Sequence, residues 1–367
     1  MFCQRSYTRL ATKTVQQMQK RPSLKDIADR VGVSIALVSY VMNGQEKEKR
    51  VGPEVAKKIR RAAEELNYQP NQIARSLRMQ STKTLGLIVA DIANPFFGSL
   101  ARIIENEAMK YSYTVVIGSS DENRVQLESL ISVFMNRQVD GFIITPAEGA
   151  EQQIKQLIDN QVPVVLVDRY FSGIDVSHVV LDNRNASFEA TAHMISQGTK
   201  QITMVAYQQD LSQMKARIGG YEDAMMHHGL GAARRVVKIR KEHIQKDMQE
   251  LFDSMAPDQH SETGLFFANK ALSLAGLYCM RRRSMRVPED IDFVGFDGGE
   301  AFDLFSPPLT FIRQPLAQMG KIAFSILMNL ISGKREVRKE WLSSELIVRN
   351  TGDLPVKPDN EFQGKYY

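Results

Sequence analysis

Leu24, Ile27, Ala28 and Val31 recur at the i, i+3, i+4, i+7 spacing of a helix that buries one face. Ser23, followed three residues later by Asp26, reads as a capping box with an acidic first turn. Gly32 ends this helix, because glycine tolerates the left-handed conformation of a tight turn. A second helix runs from about Ile35 to Met42, capped by Ser34 and stopping near Asn43-Gly44. Ala28 lets the two helices approach, Gly32 makes the turn, and Val38 fills the wedge, which is the layout of a helix-turn-helix. A third helix opens at Gly52-Pro53-Glu54, with proline pre-organised for the first helical position. Its apolar face is Val55, Ile59, Ala62, Ala63 and Leu66, and Lys57, Lys58, Arg60 and Arg61 decorate the rest. The loop 45–50 alternates in charge and reads as solvated, with Arg50 as its candidate phosphate contact.

Beyond residue 80 the pattern changes to short continuous apolar runs alternating with amphipathic stretches. Strands are expected at 85–90, 114–118, 141–146 and 162–168, with helices at 97–110, 125–138 and 150–160 between them. A second strand series follows at 203–206, 236–239, 264–268 and 292–296. Strand–helix alternation implies parallel α/β sheets, and two series imply two similar lobes. Between head and body, residues 70–78 read Pro-Asn-Gln-Ile-Ala-Arg-Ser-Leu-Arg. Isolated helices below ~12–15 residues are marginal in water, so this segment is expected to order only when a partner supplies the missing energy. It is acid-free, carries Arg75 and Arg78, and offers Leu77 as a minor-groove wedge. The alternative is that Ile73 and Leu77 pack on the body; the flanking arginines favour the wedge.

Charge sharpens the division. The chain of 367 residues is 43% hydrophobic and 24% charged, an ordinary globular balance. Residues 1–80 hold 16 Lys and Arg against 7 Asp and Glu, whereas the remainder holds 31 against 35. A basic head on a mildly acidic body suggests nucleic acid at the head and a small ligand or protein at the body. Cys3 and Cys279 are too far apart in sequence to suggest a disulfide framework or a metal-ligand spacing, which fits a reducing cytoplasm. Residues 1–22 lack the apolar stretch of a secretory signal and are expected to be a disordered extension, Met18 being the more conventional start. No apolar run approaches the ~18–20 residues of a membrane span. There is no P-loop and no Gly-x-Ser-x-Gly elbow, and Gly229-Leu-Gly231 is half a dinucleotide fingerprint that does not follow a strand. His227-His228 reads as surface, and Arg281-Arg282-Arg283 as a solvated helix end. No catalytic group, metal or cofactor is expected.

The run from Ser23 to Arg78 resembles the DNA-binding head of the LacI/GalR family, the lactose- and galactose-repressor relatives. The residues that carry the likeness are Asp26-Ile27-Ala28, Gly32-Val33-Ser34, Val38-Ser39, Asn43-Gly44, Tyr68-x-Pro70-Asn71 and Ala74-Arg75-Ser76-Leu77. It continues to about residue 350. The resemblance implies an all-α helix-turn-helix head and an α/β two-lobed, periplasmic-binding-protein-like body, with parallel sheets and three crossovers near Asp182, Ile312 and Trp341. The domains are then an extension 1–22, the DNA-binding domain 23–68, a hinge helix 69–80, an effector-binding and dimerisation body 81–356 and a tail 357–367. Lobe 1 takes 81–181 and 313–341, and lobe 2 takes 182–312 and 342–356.

By the same resemblance the second helix lies in the DNA major groove, with Ile35, Ala36, Ser39 and Tyr40 facing bases or phosphates. Further DNA contacts are implied at Lys25, Ser34, Asn43, Arg50, Tyr68, Asn71, Ala74 and Arg78, and Leu77 takes the place of the family's lever leucine. The chain departs from the family in residues 35–42, which contain no Lys or Arg. Bidentate arginine–guanine readout is therefore unavailable from this helix, leaving apolar contact with thymine methyls and the Tyr40 hydroxyl. An operator half-site unlike the usual family pattern is expected.

Open α/β sheets bind ligands beyond the carboxyl ends of their strands. Asp91, Asn94, Phe96, Phe97 and Asp168 fall at such ends in the first lobe, and Arg217, Asn269 and Asp297 in the second. The family's effector contacts map onto these positions through Arg217-x-x-Gly220-Tyr221 and Gly295-Phe296-Asp297. Lys270 stands where the family's Asn-Asp pair has aspartate, and Gly198-Thr199-Lys200 replaces the usual Gly-His-Arg. Carboxylates, a guanidinium and an aromatic suit a polyhydroxylated small molecule. The expectation is a homodimeric cytoplasmic regulator, a repressor, that binds double-stranded operator DNA under control of a sugar-like effector, the helix at 97–110 forming a dimer face. The alternative is a solute-binding protein, which would have no use for the head.

Overall fold

The computed structural model describes residues 22–69, 81–255 and 263–349. The chain separates into two compact units, 1–82 and 83–367. The expected extension, all but its last residue, the hinge residues 70–80 and the tail 357–367 lie outside the described residues.

In the head, α1 (Leu24–Val31), α2 (Ile35–Met42) and α3 (Pro53–Glu65) form a three-helix unit. Ser23 and Asp26 make the reciprocal capping box, and Gly32 stops α1 at φ +76°. Ser34 Oγ accepts the Leu37 N–H at the start of α2. Ile27, Ala28, Val38, Val41, Ala56, Ile59, Ala62 and Ala63 are the buried core. Val55 and Leu66, expected on the buried face of α3, pack at its margin.

In the body, the first lobe is built from β1 (Thr84–Val89), α4 (Pro95–Lys110), β2 (Thr114–Ser119), α5 (Arg124–Asn136), β3 (Gly141–Ile144), α6 (Glu151–Asp159), β4 (Val164–Val167) and β5 (Ser177–Leu181). The second takes α7 (Asn183–Ser196), β6 (Gln201–Tyr207), α8 (Ser212–His227), β7 (Arg235–Ile239), α9 (Ile244–Asp253), β8 (Thr263–Phe267), α10 (Lys270–Arg282), β9 (Asp292–Phe296), α11 (Glu300–Asp303) and β10 (Thr310–Arg313). The chain returns through α12 (Leu316–Ile331) and β11 (Lys339–Leu342) and ends its described part with β12 (Glu345–Ile347).

The sheets have the orders β11-β5-β4-β3-β1-β2 and β12-β10-β9-β8-β6-β7. Each central strand is buried on both faces. Leu85, Leu87 and Val89 of β1 point into one cluster with α4 and α12, while Ile88 joins α5 and α6 on the other side. The crossings fall at Asp182, between Arg313 and Leu316, and between Leu342 and Glu345, so the last two lie slightly beyond the expected positions at Ile312 and Trp341. Trp341 itself is inside β11, paired with Val180.

One strand departs from the parallel expectation: β12 runs antiparallel to β10. The cause is connection length. β11 lies parallel to β5 and ends, like its neighbours, at the edge facing the other lobe. A parallel re-entry needs a crossover of a dozen or more residues, whereas only Ser343 and Ser344 separate β11 from β12. The chain therefore enters the second sheet from its carboxyl edge and must run backwards along β10.

Candidate functional site

On the head, α2 presents Ser34, Ile35 and Ala36 to solvent, with Leu37, Ser39 and Tyr40 half-buried. Ile35 is 48% exposed, unusual for an isoleucine and suited to an apolar contact with DNA. Asn43 donates from Nδ2 to the Ser39 carbonyl at 2.6 Å and to Ser39 Oγ at 3.2 Å, which fixes both side chains. Although α2 carries no cation, Lys49 Nζ sits 5.9 Å from the Tyr40 ring centroid and brings one beside it. Lys25 and Arg50 are exposed, and Tyr68 packs half-buried against the head core. Asn71, Ala74, Leu77 and Arg78 lie outside the described residues.

In the body, one cavity at the carboxyl ends of both sheets is lined by all eight expected residues: Asp91, Asn94, Phe96, Phe97, Asp168, Arg217, Asn269 and Asp297. Its volume of about 140 Å³ is small beside pockets for drug-sized ligands. Phe97 is only 4% exposed and belongs to the first lobe's core, backing Phe96 edge-on at 4.9 Å. The ring offered for stacking is thus Phe96. Asn94 and Asn269 also serve locally, their side chains accepting the Phe96 and Leu272 N–H groups at the starts of α4 and α10.

Burial decides the electrostatics. Asp168 and Asp297 both adopt left-handed backbone, at φ +69° and +58°, turning their carboxylates inward where the strands end. Arg217, 3% exposed, donates from Nε to Asn183 Oδ1 at 2.8 Å and from Nη1 to the Ala268 carbonyl at 2.5 Å. Its guanidinium lies 3.8 Å from the Phe296 ring centroid and 4.0 Å from Asp297 Oδ2. Burial pushes the Arg217 pKa down, although Asp297 and Asp168 pull it back up. Asp297 in turn accepts from Gln314 Nε2 at 2.5 Å, a residue on the segment that crosses between the lobes.

Sequence reasoning missed Arg169, Glu122, Gln213 and Gln314, and weighed Lys270 only as a departure. Arg169 is 4% exposed and grips Glu122 bidentately at 2.5 and 3.1 Å, while its Nε reaches Asp168 at 3.2 Å. The adjacency Asp168-Arg169 was a visible signal, since two opposite charges closing a buried strand must turn toward a polar site. Burial raises the Asp168 pKa, outweighing the opposing charges of Arg169 and Arg217. For Glu122 burial also pushes upward, but the charge and hydrogen bonds of Arg169 outweigh it, and the pKa is lowered. Gln213 and Gln314 are 7% and 8% exposed, and the Oε1 of each has no hydrogen-bond partner among the described residues. Both residues border the cavity, and a buried acceptor of this kind suits a ligand with hydroxyl or amine donors.

The lowered Glu122 pKa gives a pH dependence. Its contribution to stability is complete above the ordinary glutamate range, about 4.3, and is lost as pH falls toward and through the lower folded-state value. Asp168 acts oppositely, its raised pKa costing stability as pH rises through the aspartate range. Glu122→Gln is expected to flatten the acid limb of the stability curve, measured by denaturant unfolding at successive pH values; an unchanged slope would contradict the pairing.

A helix-turn-helix unit joined in one chain to a two-lobed body with a polar interlobe cavity defines a class, the DNA-binding transcriptional regulators. Residues 23–71 match the family described as bacterial regulatory proteins, lacI family, and residues 191–351 match the periplasmic binding protein-like domain. The HTH-type transcriptional repressor PurR of Aliivibrio salmonicida is 30% identical over 334 residues, covering 90% of this chain and 98% of that protein. Catabolite control protein A of Priestia megaterium is 28% identical over 327 residues, covering 89% and 95%. Among solved structures, the transcriptional regulator CelR–cellobiose complex aligns with a TM-score of 0.66 at 27% identity, covering 90% of this chain and all of that one (100%). The Lac repressor dimer bound to operator and the anti-inducer ONPF shares the fold, with a TM-score of 0.78 at 21% identity over 90% and 99% of the chains. This chain belongs to the lacI family of bacterial regulatory proteins. Among the described residues no helix is long and apolar enough to cross a membrane.

Proposed function

We propose that the protein is a homodimeric, cytoplasmic repressor that works by binding alone, its operator affinity set by a small polyhydroxylated metabolite in the interlobe cavity. The observation that carries this reading is the convergence of Asp168, Arg217, Asn269 and Asp297 with the unpaired Gln213 and Gln314 acceptors on one small cavity. Acceptors and donors at several angles, with Phe96 as a flat apolar wall, suit a hydroxylated ring better than an apolar ligand. Similar proteins fit the reading: one relative is named a ribose operon repressor, and the structure of another regulator holds cellobiose.

In the head, Ile35, Ala36, Ser39 and Tyr40 read the major groove, with Lys25, Ser34, Asn43 and Arg50 on its rim. From 69–80, Asn71, Ala74 and Arg78 approach the backbone and Leu77 enters the minor groove, its unstacking cost of a few kcal/mol offset by contact with bent DNA. The exposed face of α4, with Ser99, Arg102, Asn106 and Met109, contributes to the dimer. Gel shift of the full chain on its own upstream region tests the reading. A salt-sensitive, sequence-selective shift is expected, weakened sharply by Leu77→Ala with thermal stabilisation by ligand unchanged. A shift indifferent to sequence, or unaffected by Leu77→Ala, would contradict it.

A further inference from the structure

We infer that the effector carries an anionic group, a phosphate or a carboxylate, held by Lys270 and the N-terminus of α10. This rests on the reading of the cavity as the effector site and narrows it. The eight charged side chains lining the cavity are not equivalent. Arg169 is bound by Glu122 and Asp168, and Arg217 is fixed by hydrogen bonds and faces Asp297. Lys241, from the turn after β7, is exposed and acts electrostatically on Glu122. Lys270 is half-buried and makes no ion pair among the described residues, although it lines the same cavity.

Its place in the fold adds to its charge. Lys270 is the first residue of the 13-residue helix α10, whose side-chain cap, Asn269, takes only the Leu272 N–H. The first N–H groups of a helix have no intrahelical acceptor, and the helix field there is positive. Lys270 and Ala271 both border the cavity, which puts a lysine and the positive start of α10 on its wall. A helix start alone would not specify a ligand. Here Gln213 and Gln314 border the same cavity, each more than nine-tenths buried with an Oε1 that has no partner among the described residues, which points independently to a ligand with donors. The two features together describe a molecule with hydroxyls at one end and a negative charge at the other.

The test measures binding to the full-length protein by calorimetry with matched probes: glucose and ribose, glucose 6-phosphate and ribose 5-phosphate, gluconate and glucuronate, and inorganic phosphate. Wild type is compared with Lys270→Gln, which removes the charge at a half-exposed position and leaves the helix cap in place. An anionic probe is expected to bind roughly tenfold or more tighter than its neutral partner, and Lys270→Gln to erase that margin while neutral sugars bind as before. Whether the phosphates or the sugar acids show the margin identifies the group. Neutral sugars binding as tightly as anionic ones, or a margin that survives in Lys270→Gln, would overturn the inference and leave the polyhydroxylated effector standing. Phosphate binding that depends on Lys270, with no sugar bound, would uphold the anion site and overturn the polyhydroxylated effector. Binding of none of the probes would overturn both.

Discussion

Arg217→Ala is expected to abolish effector binding and to destabilise the second lobe by about 3–5 kcal/mol, the usual cost of removing one partner from a buried charged pair. The side chain is 3% exposed, so its loss leaves the Ala268 carbonyl, Asn183 Oδ1 and the Asp297 carboxylate without their donor or counter-charge, and no water takes the place of the guanidinium at no cost. Denaturant unfolding reads the stability loss, and calorimetry with a ligand that binds wild type reads the affinity. Arg217→Lys separates the two effects. It keeps a charge near Asp297 but cannot serve Asn183 and Ala268 together from a planar fork, so stability should recover more than ligand affinity. Arg217→Ala with wild-type stability and affinity would remove the guanidinium from the centre of the account.

Gly220→Ala is expected to be as damaging without touching the cavity. A Cβ at Gly220 would stand 1.9 Å from the Arg184 carbonyl oxygen and 2.9 Å from the Ser187 Cβ, where α8 lies against α7. Backbone cannot yield as a flexible side chain can, so the helices must separate, costing about 3 kcal/mol or more. Unfolding should begin in the second lobe, visible as amide-exchange protection lost from α7 and α8 before the first lobe is affected. A variant as stable as wild type would show that this helix pair is looser than its geometry requires.

These two residues explain what the Arg217-x-x-Gly220-Tyr221 pattern encodes. Arg217 points to the cavity, Gly220 lets α7 approach, and Tyr221 donates to the Ile202 carbonyl at 2.6 Å while accepting from the Arg235 N–H at 2.9 Å, tying β6 to β7. Such a motif is legible because each residue has a separate steric or polar duty. The strands with continuous apolar runs were legible for a similar reason: burial on both faces leaves little choice of residue. By contrast β5, with Ser177 and His178 in a buried strand, and the short β11 and β12, with Lys339, Glu340 and Glu345, carry polar residues that mask their strand character. The antiparallel setting of β12 followed from a two-residue connection that no periodicity reports.

The cavity was legible at its strand ends and illegible at its crossings. Asp168 and Asp297 close apolar runs and so stand out in the sequence. Gln314 lies on a crossing segment, and Glu122 in a turn at φ +61°, where a glutamine or a glutamate has no distinctive neighbour. Their roles appear only once folding brings Gln314 to Asp297 and Glu122 to Arg169. On the head, caps and core spacing marked the helices, whereas Lys49 reaches Tyr40 from a loop that sequence alone assigns to solvent.

The most direct test is operator affinity of the full-length protein, measured by fluorescence anisotropy at one fixed salt concentration, with the cavity empty and with it saturated. The account predicts a change of several-fold to about a hundredfold, corresponding to a coupling of ~1–3 kcal/mol, and its disappearance in Arg217→Lys at the same ligand concentration. Equal affinity at both extremes of ligand occupancy would contradict it.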